Sequence, residues 1–335
     1  VVLSCMVSPE VLSNENFFKR EALRYTLEDA DSPISMSGTV FTEDLSYMTS
    51  IGDNAINNML DTLYPGQYAS NMIGLAWANY RELTFDKVQQ LYDRSYHFDN
   101  ALLLLYGDLD YDSFLTFLDS EYLSHYPNTH TDLSAYDQPS EQSGYKEVQL
   151  ASPAFEGDSV QNASVIDYAF DLDGQPYETL HQYAVLCELL NANDSVFQEN
   201  LRAAGLGNAS AGLLLDQLKP VLRFELSGAN PEDAQTFRNV VEDTLTAIRE
   251  NGLDSTLLER ALKINRFSQY LSEESSDKAI SVYFFSILMQ WSATDDTNYY
   301  AQEQEALDAL AGSEGQTLYR QLADGLLNCT NTALV

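Results

Sequence analysis

The segment Pro176 to Ala192 (PYETLHQYAVLCELLNA) is apolar on nearly every face when wound as a helix, and no other stretch constrains the fold as much. A helix that is hydrophobic all round must be enclosed by other elements. Its neighbours supply candidates. Lys146–Leu150, Ser159–Leu172 and Val221–Ser227 read as strands, and Val196–Ala204 as a short helix closed by Gly205 and Gly207. Asn230-Pro231 opens a helix with the stripe Ala234, Phe237, Val241, Leu245 and Ile248, which Gly252 stops. Asp254 caps another helix. Ser272–Asp277 interrupts it, Ala279–Trp291 resumes, and a last helical region covers Asn298–Leu327 before a strand begins at Thr332. Strands mixed with paired helices predict an α+β fold, with helices stacked on one face of a sheet.

The earlier part has the same style. Phe18, Ala22 and Tyr25 predict a helix over Glu15–Glu28. Ser32-Pro33 has the form of an N-cap and first-turn proline, and Met36, Val40, Tyr47, Ile51, Leu60 and Leu63 predict one long helix ended by Tyr64-Pro65-Gly66. Tyr68–Arg81 reads as irregular. Thr84 caps a helix with Phe85, Val88, Leu91, Tyr92 and Tyr96 on its buried side. Ala101–Tyr106 is an apolar run of strand length, and Asp112–His125 is again helical. The stretch 126–144, rich in Pro, Ser, Thr, Asp and Gln, is the linker candidate. A chain of 335 residues suits two domains, here 1–135 and 136–335.

Charge limits the partners. Seventeen basic against 51 acidic residues give a net charge of −34, which repels nucleic acid and anionic membranes. The simplest role of the excess acid is solubility, although an acidic wall also attracts basic peptides. There is no run of about 18 apolar residues that could span a bilayer. Cys5, Cys187 and Cys329 are odd in number and widely spaced, so they suggest neither a disulfide framework nor a zinc cluster, and a reducing, cytoplasmic setting is expected. The opening VVLSCMVSPEV has neither a basic leader nor a starting Met, and the chain reads as part of a larger polypeptide. The sequons at Asn162, Asn193, Asn208 and Asn328 read as chance matches.

Two stretches carry a resemblance. Gly38-Thr39-Val40-Phe41-Thr42-Glu43 is similar to the G-V-V-[FY]-N-E segment that supplies a zinc ligand in the insulinase/pitrilysin-type zinc peptidases, in their presequence-protease and falcilysin branch. Asp44-Leu45-Ser46 departs from the M-K-G that follows there. LTFDKVQQLYDRSYHFDNALLLLYGDLD, Leu83 to Asp110, resembles a later segment of the same family, and Tyr177–Gly207 resembles its helix-pair pattern ending in G-L-G. The glycine-rich element that precedes the LTFD-type helix in the family is replaced here by Asn71 to Ala78.

The resemblance implies two insulinase-like domains, each a mainly antiparallel sheet with helices on one face, the first incomplete. It also implies a zinc site in which Glu43 is the third ligand. The paired histidines and the base of an HxxEH motif would come from outside, because HxxEH occurs nowhere in this chain. The implied partners are a peptide substrate and the remaining part of the same polypeptide, and the chain alone is expected to be inactive. A lone helical glutamate is ordinarily a solvated side chain, so Glu43 rests on the resemblance. His97 reads as a donor to a helix end, His181 as a core histidine, and His125 and His130 as linker flanks. Neither Gly205-Leu-Gly207 nor Ser210 has the context of a phosphate loop or nucleophile elbow, and Asp171–Gly174 lacks calcium-loop spacing. Two other readings stay open: a non-catalytic scaffold or peptide-binding relative, and an unrelated acidic α+β interaction module.

Overall fold

The computed structural model describes residues 3, 7–48, 50–70, 77–105, 107–126, 132, 134, 136, 144–152, 161–215, 217–274, 284–294 and 296–335. The chain divides into two units, Val1–Ser50 with Ile73–Ala135, and Ile51–Met72 with Tyr136–Val335. The second unit therefore includes a stretch, 51–72, that the sequence expectation assigned to 1–135.

In the first unit, helices α1 (Glu10–Ser13) and α2 (Glu15–Glu21) lead into a two-stranded antiparallel ribbon, β1 (Arg24–Thr26) and β2 (Ser35–Ser37). Asn14 caps α2 by accepting from the Asn16 N–H, and the helix ends at Ala22, well short of Glu28. Ser32-Pro33 starts no helix, because the chain from Ser35 to Ser37 is paired with β1. Helix α3 begins at Thr39 and runs to Met48, and the expected single helix to Leu63 is two, α3 and α4 (Ile51–Leu63). Helix α5 (Phe85–Ser95) starts where expected, with the Thr84 hydroxyl accepting from the Lys87 N–H. Asp110 does the same for α6 (Tyr111–Glu121) at the Ser113 N–H. Ala101–Leu105 joins no strand ladder among the described residues, and Leu103 is exposed. An apolar run has strand propensity, but a strand exists only where a neighbour takes its N–H and C=O groups.

The second unit holds a five-stranded sheet: β3 (Gly144–Glu147), β4 (Ser164–Asp171), β5 (Ala209–Leu214), β6 (Val221–Ala229) and β7 (Asn331–Leu334), in the spatial order β3-β7-β4-β6-β5. Only β3 and β7 run parallel; the other pairs are antiparallel. The sheet is sided by residue alternation. Ile166, Tyr168 and Phe170 of β4 and Leu222, Phe224 and Leu226 of β6 pack into the main core. That core includes helices α7 (Tyr177–Asn191), α8 (Val196–Ala203), α9 (Ala234–Asn251) and α10 (Ser255–Glu274). Helix α11 (Phe284–Thr294) follows, and α12 (Tyr299–Ala311) and α13 (Gly315–Leu327) complete the core. Helix α7 is buried as its composition demands, with Leu180, Leu186, Leu189 and Leu190 each at most 2% exposed. Asn230 and Asp233 form a reciprocal capping box, and Gly252 at φ 76° ends α9.

The opposite face of the sheet is smaller in its side chains. Ala169, Val221 and Ala333 receive Met59, Leu60, Leu63 and Tyr64 from the end of α4. Polar groups converge on that end. Lys146 Nζ donates to the Leu63 carbonyl at 3.2 Å and the Asn331 amide donates to it at 3.3 Å. Tyr64 Oη donates to Asp171 at 2.8 Å, and Asn331 reaches the other Asp171 oxygen at 2.9 Å. A cation and amide donors at the last carbonyls of a helix, which have no intrahelical partner, complement its dipole. This fixes α4 on the sheet.

Candidate functional site

Gly38 sets the geometry of the expected ligand helix. A Cβ at this position would lie 2.1 Å from the Ala22 carbonyl oxygen, so no other residue lets β2 turn into α3 beside Ala22. The Thr42 N–H donates to the Gly38 carbonyl at 2.9 Å, closing the first turn. Thr39 hydrogen-bonds the Glu21 carboxylate, which with Arg20 holds that carboxyl below its ordinary pKa. Phe41, 5% exposed, meets the Tyr80 ring edge-on at a centroid distance of 5.5 Å. Tyr80 is itself buried and donates its hydroxyl to Asp44. Burial first, then Asp44, and also the Glu43 charge, push the Tyr80 hydroxyl well above its usual range. Glu43 stands exposed between these anchored residues, one position before Asp44.

A catalytic zinc takes three protein ligands and a water. Among the described residues no three His, Cys, Asp or Glu side chains are close enough to hold a metal ion. The donor set thus fits zinc only in part: Glu43 offers one carboxylate, and the nitrogen ligands would have to come from beyond these residues.

No described histidine forms a metal-holding group with Glu43. His97 precedes a single turn of 3₁₀ helix, Phe98–Asn100, and the Ser95 carbonyl at the end of α5 is taken by the Asn100 amide at 3.0 Å. The sequence expectation gave that capping to His97; the shorter carboxamide does it instead. His181 is 8% exposed in the second unit, edge-on to Tyr177 at 4.6 Å, and burial pushes its imidazole down to about 4. It is a neutral core residue at physiological pH. Cys187 is buried and its thiol is pushed up to about 12, which suits packing rather than reactivity. Asn71–Ala76, His130 and Cys5 lie outside the described residues.

Sequence reasoning passed over two charged groupings. Asp44 and Tyr80 are 36 positions apart, and only the fold joins them. Asp167 is fully buried on β4; one Arg223 nitrogen meets its two oxygens at 3.1 and 3.2 Å, and another meets Glu225 at 2.6 Å. Burial, with Glu225 adding to it and Arg223 opposing it, pushes Asp167 up to about 7. The signal was present in the run Ser164-Val-Ile-Asp-Tyr-Ala-Phe, where a lone acid interrupts a buried strand.

The family model described as Peptidase M16 inactive domain matches residues 82–265, more than half of the chain. The chain belongs to the Peptidase M16 inactive domain family. Protein HypA of Clostridium perfringens is 22% identical across 100% of this chain and 35% of its own length. Presequence protease 1, chloroplastic/mitochondrial, of Arabidopsis thaliana is 27% identical over 80% of this chain and 25% of its own. The chain thus spans about a third or less of these curated relatives. A Helicobacter pylori protease shares the fold at a TM-score of 0.68 and 15% identity, covering 88% of this chain and 69% of that one. M16 peptidases are zinc metallopeptidases, and this chain lies in the inactive-domain part of that family. No described helix is long and apolar enough to cross a membrane.

Proposed function

We propose that this M16 chain is part of a zinc-dependent metalloendopeptidase of unfolded oligopeptides, contributing Glu43 as third zinc ligand and part of the wall around the peptide. In this reading 1–135 closes a first insulinase-like domain and 136–335 forms a second. The rest of the same polypeptide supplies the two histidines and the base. The observation that carries it is the Gly38–Glu43 turn and helix, built around a glycine that tolerates no side chain, in a chain similar to a presequence protease over most of its length. The exposed apolar residues of the first unit, Tyr25, Leu27, Ile34 and Leu103 among them, support a covering contribution from the remaining polypeptide. An acidic surface suits neither nucleic acid nor an anionic membrane as partner. Two free cysteines, Cys187 and Cys329, are compatible with a cytoplasmic setting.

A second reading, a non-catalytic scaffold or peptide-binding relative, is favoured by Asp44 standing where the family pattern has Met. Peptide cleavage by the intact protein separates the two. Chelator-sensitive hydrolysis of an unstructured peptide supports the first, and peptide binding without cleavage at saturating zinc supports the second.

A further inference from the structure

We propose that the second unit holds a binding site for a small carboxylate with an apolar body, in a cavity of about 350 Å³ at the β3 side of the sheet. The inference is independent of the peptidase reading and of any metal. Sheet register makes the room. Tyr145 of β3, Thr332 of β7 and Phe170 of β4 stand level across three adjacent strands, so a short side chain separates two aromatic ones. Helix α9 roofs the gap with Arg238, Glu242 and Leu245, which its period puts on one side, and Leu326 closes it from the end of α13. The Arg238 guanidinium lies 3.9 Å over the Tyr145 ring and 5.8 Å from the Tyr168 ring, which fixes its plane. Its Nε donates to Glu242 at 2.8 Å, and Glu242 also accepts from the Tyr168 hydroxyl at 3.1 Å. The acid is thereby neutralised, while the guanidinium keeps further N–H donors for a ligand. Thr332, 5% exposed, lines the same cavity, and its hydroxyl makes no hydrogen bond among the described residues. A planar cation near an unsatisfied buried hydroxyl suits the two oxygens of a carboxylate, and Phe170, Leu245 and Leu326 suit the apolar body. A cationic ligand would meet Arg238 and find Glu242 already taken. The size is at the small end of ligand sites, room for a body no larger than one or two side chains.

Titration calorimetry of the intact protein with phenylacetate, phenylacetamide and phenethylamine tests the site, in the wild type and in Arg238→Gln, Arg238→Lys and Thr332→Val. Unfolding midpoints identify any variant that has lost its fold. The acid should saturate a single site, and the neutral amide and the cationic amine should each bind about 10-fold or more weakly. Arg238→Gln should weaken the acid about 10-fold or more, and Arg238→Lys, which keeps the charge without the planar fork, should recover only part of that. Thr332→Val, which keeps the shape, should cost about 5-fold. A short peptide ending in a free phenylalanine separates two sources of the same chemistry. Tighter binding than phenylacetate assigns the site to peptide C-termini and weaker binding to free acids, and either order supports a carboxylate site. Equal affinity for acid and amide, no saturable binding of acid or peptide, or wild-type affinity in a folded Arg238→Gln variant overturns it. If Arg238→Gln does not fold, the comparison of acid with amide in the wild type decides.

Discussion

Replacing His181 by Gln removes a titrating group from the core of the second unit and changes how stability responds to acid. The imidazole is 8% exposed and burial lowers it from 6.5 to about 4. A folded-state value below the unfolded one means that the unfolded chain binds more protons between the two. The stabilisation is therefore complete above about 6.5 and is lost as pH falls toward 4. The shift corresponds to about 3 kcal/mol over the whole window, of which about 2 kcal/mol falls between pH 7 and pH 4.5. The wild-type curve alone cannot reveal this, because Asp167 has the opposite sign. Its folded-state value is raised from 3.8 to about 7, so its contribution is most favourable at low pH and is lost as pH rises through 7. The two nearly offset one another over the same range. Urea unfolding at pH 7 and pH 4.5 should show that His181→Gln is more stable at the lower pH, relative to wild type, by about 2 kcal/mol. Parallel pH dependence in the two proteins would refute the claim that the imidazole is buried and neutral.

Asp167→Asn should shift the balance the other way, so that unfolding at pH 4.5 becomes easier relative to pH 7 than in wild type. Tyr319→Phe should raise stability by about 1 kcal/mol in urea unfolding, because the fully buried Tyr319 hydroxyl has no hydrogen-bond partner among the described residues. Tyr64→Phe deletes the donor to Asp171 and should cost about 2 kcal/mol, read as faster hydrogen exchange along Ile51–Leu63. Gly38→Ala forces the Ala22 carbonyl to move, and limited proteolysis should cut the first unit faster than wild type while leaving the second unit unchanged.

What the sequence made visible is what short-range chemistry decides. Thr84, Asn230 and Asp254 cap their helices from within a few residues, and each start is where its hydrogen bonds require. The apolar girth of α7 likewise needs no partner to be recognised. Tertiary contacts decided the rest. β5, Ala-Ser-Ala-Gly-Leu-Leu, has little strand propensity and was not foreseen; it pairs with β6, and the Asn191 carboxamide bonds both the N–H and the C=O of Ala211. The seat of α4 on the sheet depends on Leu63, Tyr64, Lys146, Asp171 and Asn331, which meet across as many as 268 positions of chain. At the candidate site the family pattern led to Glu43. The Tyr80–Asp44 tether beside it falls where the pattern and this chain diverge, which no reading of the motif alone would have found.

Zinc content bears most directly on the central claim that Glu43 belongs to a metal site completed by the rest of the protein. Elemental analysis of the intact protein after dialysis should give about one zinc per chain, falling close to zero in a folded Glu43→Ala variant. A wild-type protein without zinc, or a Glu43→Ala variant that keeps the full complement, would contradict it.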